Sequence, residues 1–179
     1  MTFAELLQNN YIFLDGGMGT MLQARGMQAG ERPELLNLKD PALVEQVQRA
    51  YVEAGSNIIC SNTFGANRTK LTGSGATVQQ VIPAAIQCAR RAAAGKALVA
   101  LDLGPTGQML EPTGSLTFEQ AYDLYAEQVD AGQEADLILI ETMTDLYEIR
   151  AAVLAAKEHG NGKPVIALMT FEHTGRTFT

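Results

Sequence analysis

The chain has no tryptophan, and its 179 residues include only two cysteines. Cys60 and Cys88 lie 28 positions apart with no Cys-x-x-Cys pair or nearby histidine, so neither spacing nor partners suit a metal site, and both read as buried structural thiols. Cations are scarce as well. Thirteen Lys plus Arg against 20 Asp plus Glu give a net charge of −7, with no basic run. Five tyrosines and no basic patch argue against a nucleic-acid partner, which a phosphate backbone would require to be cationic. Long apolar runs are missing too: nothing approaches the roughly 18 to 20 residues that span a bilayer. The start, Met1-Thr2-Phe3-Ala4-Glu5-Leu6-Leu7, lacks a basic segment ahead of a long apolar one, which points to a cytoplasmic protein with no membrane partner. What is present is ordinary globular usage, 46% hydrophobic and 18% charged, enough for one domain or part of one.

A repeated pattern organises the chain. An apolar run ends in a polar residue and a tight turn at Tyr11-Ile12-Phe13-Leu14-Asp15 before Gly16-Gly17, and again at Asn57-Ile58-Ile59-Cys60-Ser61-Asn62 before Thr63-Phe64-Gly65. It returns at Ala97-Leu98-Val99-Ala100-Leu101-Asp102 and at Asp136-Leu137-Ile138-Leu139-Ile140-Glu141. The polar tips Asp15, Asn62, Asp102 and Glu141 are separated by 47, 40 and 39 residues, about one strand plus a returning helix, so all four tips face the same way.

Helix signals fill the intervals. Asp40-Pro41 is an N-cap followed by proline at the first helical position, and Leu43, Val44, Val47, Ala50 and Tyr51 form an apolar stripe ending at Gly55. Thr77 with Gln80 and Thr117 with Gln120 match capping boxes that open helices to about Ala94 and Gln133. Pro83 inside the first of these implies either a later start or a kink. A last helix near Asp145 to Glu158 packs Leu146, Ile149, Ala152, Val153 and Ala156 on one side, and Pro164 to Met169 begins a fifth strand.

Alternating strands and helices of this period indicate a parallel α/β sheet. A doubly wound sheet would usually carry GxGxxG after its first strand, and Gly16, Gly17 and Gly19 do not match that spacing. A TIM-type (β/α)8 barrel explains better why every strand ends in a polar residue. About five strands and four helices are present, and closing eight strands would take roughly 300 residues. The chain ends at Thr177-Phe178-Thr179 directly after a strand, so the expected object is an incomplete barrel, truncated within a single domain that covers residues 1–179.

Leu14-Asp15-Gly16-Gly17-Met18-Gly19-Thr20, Asn62-Thr63-Phe64-Gly65-Ala66-Asn67-Arg68 with the segment from Asn37 that leads to it, Gly104-Pro105-Thr106-Gly107 and Ile140-Glu141-Thr142 together resemble the homocysteine S-methyltransferase domain. The likeness extends over essentially the whole chain in order, and is similar in particular to the first module of cobalamin-dependent methionine synthases. It covers the front part of that family's barrel.

The resemblance implies homocysteine binding, with Asp15 and Glu141 on the ammonium group and backbone amides around Gly16 and Gly17 on the carboxylate. It implies zinc activation of the substrate thiol and methyl transfer to give methionine, with methylcobalamin on a corrinoid-carrying module as donor in the nearest branch, and sulfonium or betaine donors in others. The family's zinc is held by three cysteines in segments that this sequence does not contain, so no metal ligand and no catalytic residue is assigned here. The chain alone is expected to be inactive, a piece that needs the rest of the barrel. The alternative is a non-catalytic fragment that self-associates with a second copy and at most binds an amino acid; unpaired first and fifth strands favour association either way. An unrelated lyase or aldolase barrel would want a lysine at a strand tip, and none is there.

Blander roles stand beside these. Asp15 could cap the short helix after Gly17. Asn62 and Asp102 are pocket candidates that could equally bridge loops by hydrogen bonds. Glu141, following an apolar run, needs a partner or a cleft. His159 and His173 read as solvated, and Met109, Met143 and Met169 as gap-fillers.

Overall fold

The structure, a computed structural model, describes residues 2–8 and 11–177. Phe178 and Thr179, on which part of the truncation reading rests, lie outside the described residues. Among the described residues, four parallel strands form one sheet in chain order: β1 (Ile58–Cys60), β2 (Leu98–Leu103), β3 (Leu137–Met143) and β4 (Val165–Met169). Between them run α4 (Pro41–Glu53) ahead of β1, α6 (Val78–Ala93), α7 (Phe118–Ala131) and α8 (Leu146–His159). Short pieces complete the chain: α1 (Phe3–Leu6), α2 (Met18–Gln23), a 3-10 turn at Pro33–Leu35, α3 (Leu36–Lys39) and α5 (Arg68–Leu71). Sequential order means that each crossover steps to the next position on the same side. A doubly wound sheet would reverse direction at a switch point; this sheet never does, so it is a partial barrel.

Strand alternation separates two cores. Outward residues Ile59, Val99, Leu101, Leu103, Ile138 and Ile140 pack under α6, α7 and α8. Inward residues Ile58, Leu98, Ala100, Leu137 and Leu139 form a second cluster, with Leu6 of α1 laid against it. Leu6 is almost fully buried, and that burial contributes about 1.5 to 3 kcal/mol. Thus a four-residue helix covers part of the face that a closed barrel would turn inward.

The helix starts follow the local chemistry. Asp40 accepts the Leu43 N–H at 3.1 Å, and the Thr77–Gln80 and Thr117–Gln120 boxes both form. Helix α6 begins where its box places it and continues through Pro83, whose missing N–H leaves one backbone bond unmade. In α8, Asp145 caps the N–H groups of Tyr147 and Glu148. Leu146 departs from expectation: it is exposed, and Ala151 and Ala155 are buried beside Ile149, Ala152 and Ala156.

The largest correction concerns the first predicted strand, Tyr11 to Leu14. It is reduced to a single bridge, Leu14 to Ile58, with Asn57 and Ile58 donating to the Phe13 carbonyl. Among the described residues its other edge has no neighbour, and Tyr11 and Phe13 are exposed. At the opposite edge β4 is likewise unpaired beyond β3, with Leu168 exposed. His159 also differs from its solvated reading. Its ring nitrogens meet Asp130 at 2.9 Å and the Tyr122 hydroxyl at 3.0 Å, tying α8 to α7. His173 is exposed, as expected.

Candidate functional site

Inward positions change character along each strand. β2 presents Leu98, Ala100 and then Asp102; β3 presents Leu137, Leu139 and then Glu141. The strands are parallel, so these acidic ends share one rim, beside Asp15 from the segment bridged to β1. A cleft of about 420 Å³ opens there, and Asp15, Gly16, Gly17, Asn62, Asp102 and Glu141 all line it.

Asp15 is fixed by two bonds to β1. Its N–H donates to the Ile58 carbonyl at 3.1 Å, and its Oδ2 accepts the Cys60 N–H at 2.8 Å. It does not cap α2, whose N-cap is Gly17 with no side-chain bond. Burial pushes the Asp15 carboxyl above its ordinary range, against the pull of the Cys60 hydrogen bonds. Gly16 is closely packed: a Cβ there would lie 3.0 Å from the Tyr51 hydroxyl, which donates to the Gly17 carbonyl at 3.1 Å.

Glu141 is half-buried, and its carboxyl is pushed up first by burial and then by the Asp15 charge. The β3–β4 register slips between Ile140 and Met143, and Thr142 there has φ +59°. A β-branched residue in the left-handed region is strained, and such strain gathers at sites where a bulge re-aims a side chain. The strained Thr142 itself lines the cleft.

Asn62 and Asp102, left open between structural and binding roles, differ sharply. The Asn62 Nδ2 donates to the Pro33 carbonyl at 2.7 Å and to Asn37 Oδ1 at 3.2 Å, while Asn37 Nδ2 donates to the Asn62 carbonyl at 2.8 Å. Those bonds pin the 33–37 segment over the rim. Asp102 is 6% exposed, and its Oδ1 has no hydrogen-bond partner. Burial, then the charges of Glu141, Asp15 and Glu34, push its carboxyl well above the ordinary range.

Cys60 is more than a core thiol, since it also lines the cleft. Burial and then the Asp102, Asp15 and Glu141 carboxylates push it well up, so it stays a thiol near neutral pH. Cys88 lies elsewhere, within the cluster between α4, α6 and α2.

Glu34 was not anticipated. It is buried beside the cleft and its Oε1 accepts the Gly65 N–H at 2.8 Å. A Cβ on Gly65 would fall 2.5 Å from that oxygen, so a larger residue there would displace the Glu34 carboxylate. Residue 34 sits in a 3-10 turn without strand or helix period, and no local pattern could have singled it out.

Four carboxyl groups thus line one cleft, and among the described residues no lysine, arginine or histidine joins them there. Nor, among the described residues, is any group of three or more His, Cys, Asp or Glu placed to hold a metal ion. The chemistry suits an organic cation that brings its own hydrogen-bond donors, as an ammonium group does.

Comparison with known proteins bears on the family. The homocysteine S-methyltransferase family model matches residues 12–179. Methionine synthases of Mycobacterium tuberculosis and Mycobacterium leprae are 32% and 31% identical over 96% of this chain. The chain spans 16% of the length of those two relatives. Among solved structures, the metallated homocysteine methyltransferase MmuM from Escherichia coli superposes with a TM-score of 0.79 at 23% identity, over 94% of this chain and 65% of that one. Its apo form gives 0.76 at 23% identity, over 98% and 65%. Those two structures support the fold.

Proposed function

The chain belongs to the homocysteine S-methyltransferase family, and from that premise we propose that it is the N-terminal portion of a barrel that binds homocysteine for methylation to methionine. The observation that carries this reading is the acidic cleft, which no cationic side chain lines among the described residues. Asp15 and Glu141 take the ammonium group, and the backbone around Gly16 and Gly17 receives the carboxylate. Cys60 positions Asp15 through its N–H. Glu34 holds the Phe64–Gly65 turn against the rim.

Zinc is the family's thiol activator by resemblance, and the residues present do not fit it. Cys60 faces carboxylates that keep it protonated, and Cys88 lies in the helical layer. No step is therefore assigned to a metal on this chain. What it contributes is binding and orientation of the amino acid. Thiol activation, and a methyl donor such as a corrinoid-carrying module, belong to parts beyond these residues.

Isothermal titration with L-homocysteine tests the reading. Asp15→Asn and Glu141→Gln should each weaken binding roughly 10- to 100-fold, the worth of a hydrogen bond to a charged group. Unchanged affinity in both variants would sink it.

A second reading rests on the unpaired sheet edges. The Tyr11–Leu14 segment and β4 each expose apolar side chains, Phe13 at 62% and Leu168 at 43%. A second copy of the chain, or the missing part of the barrel, would cover them.

A further inference from the structure

Asp102 carries an observation that two-carboxylate binding does not use. It stands at the inward end of β2, in the strand between those that place Cys60 and Glu141, and its Oδ1 is buried with no donor from the protein. An unsatisfied carboxyl oxygen in a buried position is costly unless the group is neutral or a ligand supplies the donor. Every element around it adds negative charge or none. Glu141 faces it from β3, Asp15 from the segment bridged to β1, and Glu34 from the 3-10 turn. Cys60 of β1 lines the same cleft as a thiol. Ser61 and Thr63 are spent on its main chain, the Ser61 hydroxyl accepting its N–H at 3.3 Å and the Thr63 hydroxyl donating to its carbonyl at 2.7 Å. No cationic side chain lines the cleft among the described residues.

An ammonium group has three N–H donors. Asp15 and Glu141 account for two. We propose that Asp102 is the third ligand of the ammonium group, a neutral carboxylic acid in the empty cleft that gives up its proton to solvent as the amino group enters. Resting on the homocysteine reading, the assignment adds that amino-acid binding expels one proton. The balance is simple: the carboxylic O–H ionises, the proton goes to buffer, and the Asp102 carboxylate accepts an N–H from the ammonium. The direction agrees with the strongly raised carboxyl, because a cation arriving beside it favours the ionised form. Affinity then rises about tenfold per unit rise in pH through the window in which the empty cleft is protonated and the complex is not.

The test uses L-methionine, whose thioether has no proton to lose, so any proton released comes from the protein. The full chain is titrated at pH 7 in phosphate and in Tris, two buffers of very different ionisation enthalpy, and the same is done with Asp102→Asn. The expected result is about one proton released per methionine bound by the unmodified chain, and close to none by the variant, which still binds. Binding without proton release by the unmodified chain overturns the Asp102 assignment and leaves the homocysteine reading standing. The same release from the variant overturns it too. Failure of both L-methionine and L-homocysteine to bind the unmodified chain overturns the assignment together with the reading beneath it. Where that variant does not fold, Asp15→Asn and Glu141→Gln decide: each should still release about one proton per methionine bound, and loss of the release in either overturns the Asp102 assignment.

Discussion

The Oδ2 of Asp15 accepts a hydrogen bond from the backbone N–H of Cys60 at 2.8 Å, joining residues 45 positions apart at the mouth of the cleft. An otherwise weakly paired first segment is anchored at this point, and the carboxyl is aimed across the rim. The bond pulls the Asp15 carboxyl down, offsetting part of the larger upward push from its burial.

Asp15→Asn retains an acceptor for the Cys60 N–H and removes a charge that burial disfavours. Thermal unfolding should show stability unchanged within about 1 kcal/mol, or slightly raised, while homocysteine affinity falls. Loss of several kcal/mol would mean that the charge, rather than the hydrogen bond, holds the segment.

Asp102 links stability to pH with a definite sign. Its folded carboxyl is raised, so its full stabilising contribution is present below the ordinary carboxyl range and is lost as pH rises toward the folded value. Within that window the loss is about 1.4 kcal/mol per pH unit for one proton. Asp102→Asn should therefore melt higher than the unmodified chain at pH 8, with the gap closing toward pH 4. A gap that widens on acidification would contradict the assignment of a neutral carboxyl.

Thr142→Gly relieves a left-handed conformation and should raise unfolding free energy by about 1 kcal/mol in denaturant titration. The same change frees the end of β3 and should weaken homocysteine binding through Glu141. Stabilisation with no change in affinity would show that the bulge does not aim Glu141.

Elemental analysis after incubation with excess zinc and homocysteine, and removal of unbound metal, should give close to zero zinc per chain. About one zinc per chain would require ligands rebuilt around Cys60 or a histidine, and the division of labour proposed here would be redrawn.

Light scattering should detect self-association that rises with concentration and weakens in Leu168→Lys, which puts a charge on the open β4 edge. A monodisperse monomer across the range would remove the second-copy reading.

Much of this was legible because strand tips obey a simple rule: an apolar run that must be buried and a polar residue that must not be. That rule places Asp15, Asp102 and Glu141 at one rim, where they line a common cleft, and the two capping boxes locate the starts of α6 and α7. The first strand was overestimated because its residues have strand character, yet pairing depends on a neighbour, and one side has none. Glu34 and the Asn37–Asn62 exchange stayed hidden since their partners lie 31 and 25 residues away in loops without period. Leu146 fits the helical stripe of α8 yet is exposed, because periodicity marks a face and not how much of that face finds a neighbour.

The inward columns run from apolar residues at one end to carboxylates at the other, and that gradient acts on a ligand before any contact is made. A zwitterion carries no net charge, so the negative mouth cannot simply draw it in; the field exerts a torque, turning the ammonium end toward the rim and the carboxylate away from it. Added salt, which screens over about 10 Å at 0.1 M, should then lower the fraction of encounters that arrive in the productive orientation rather than the number of encounters.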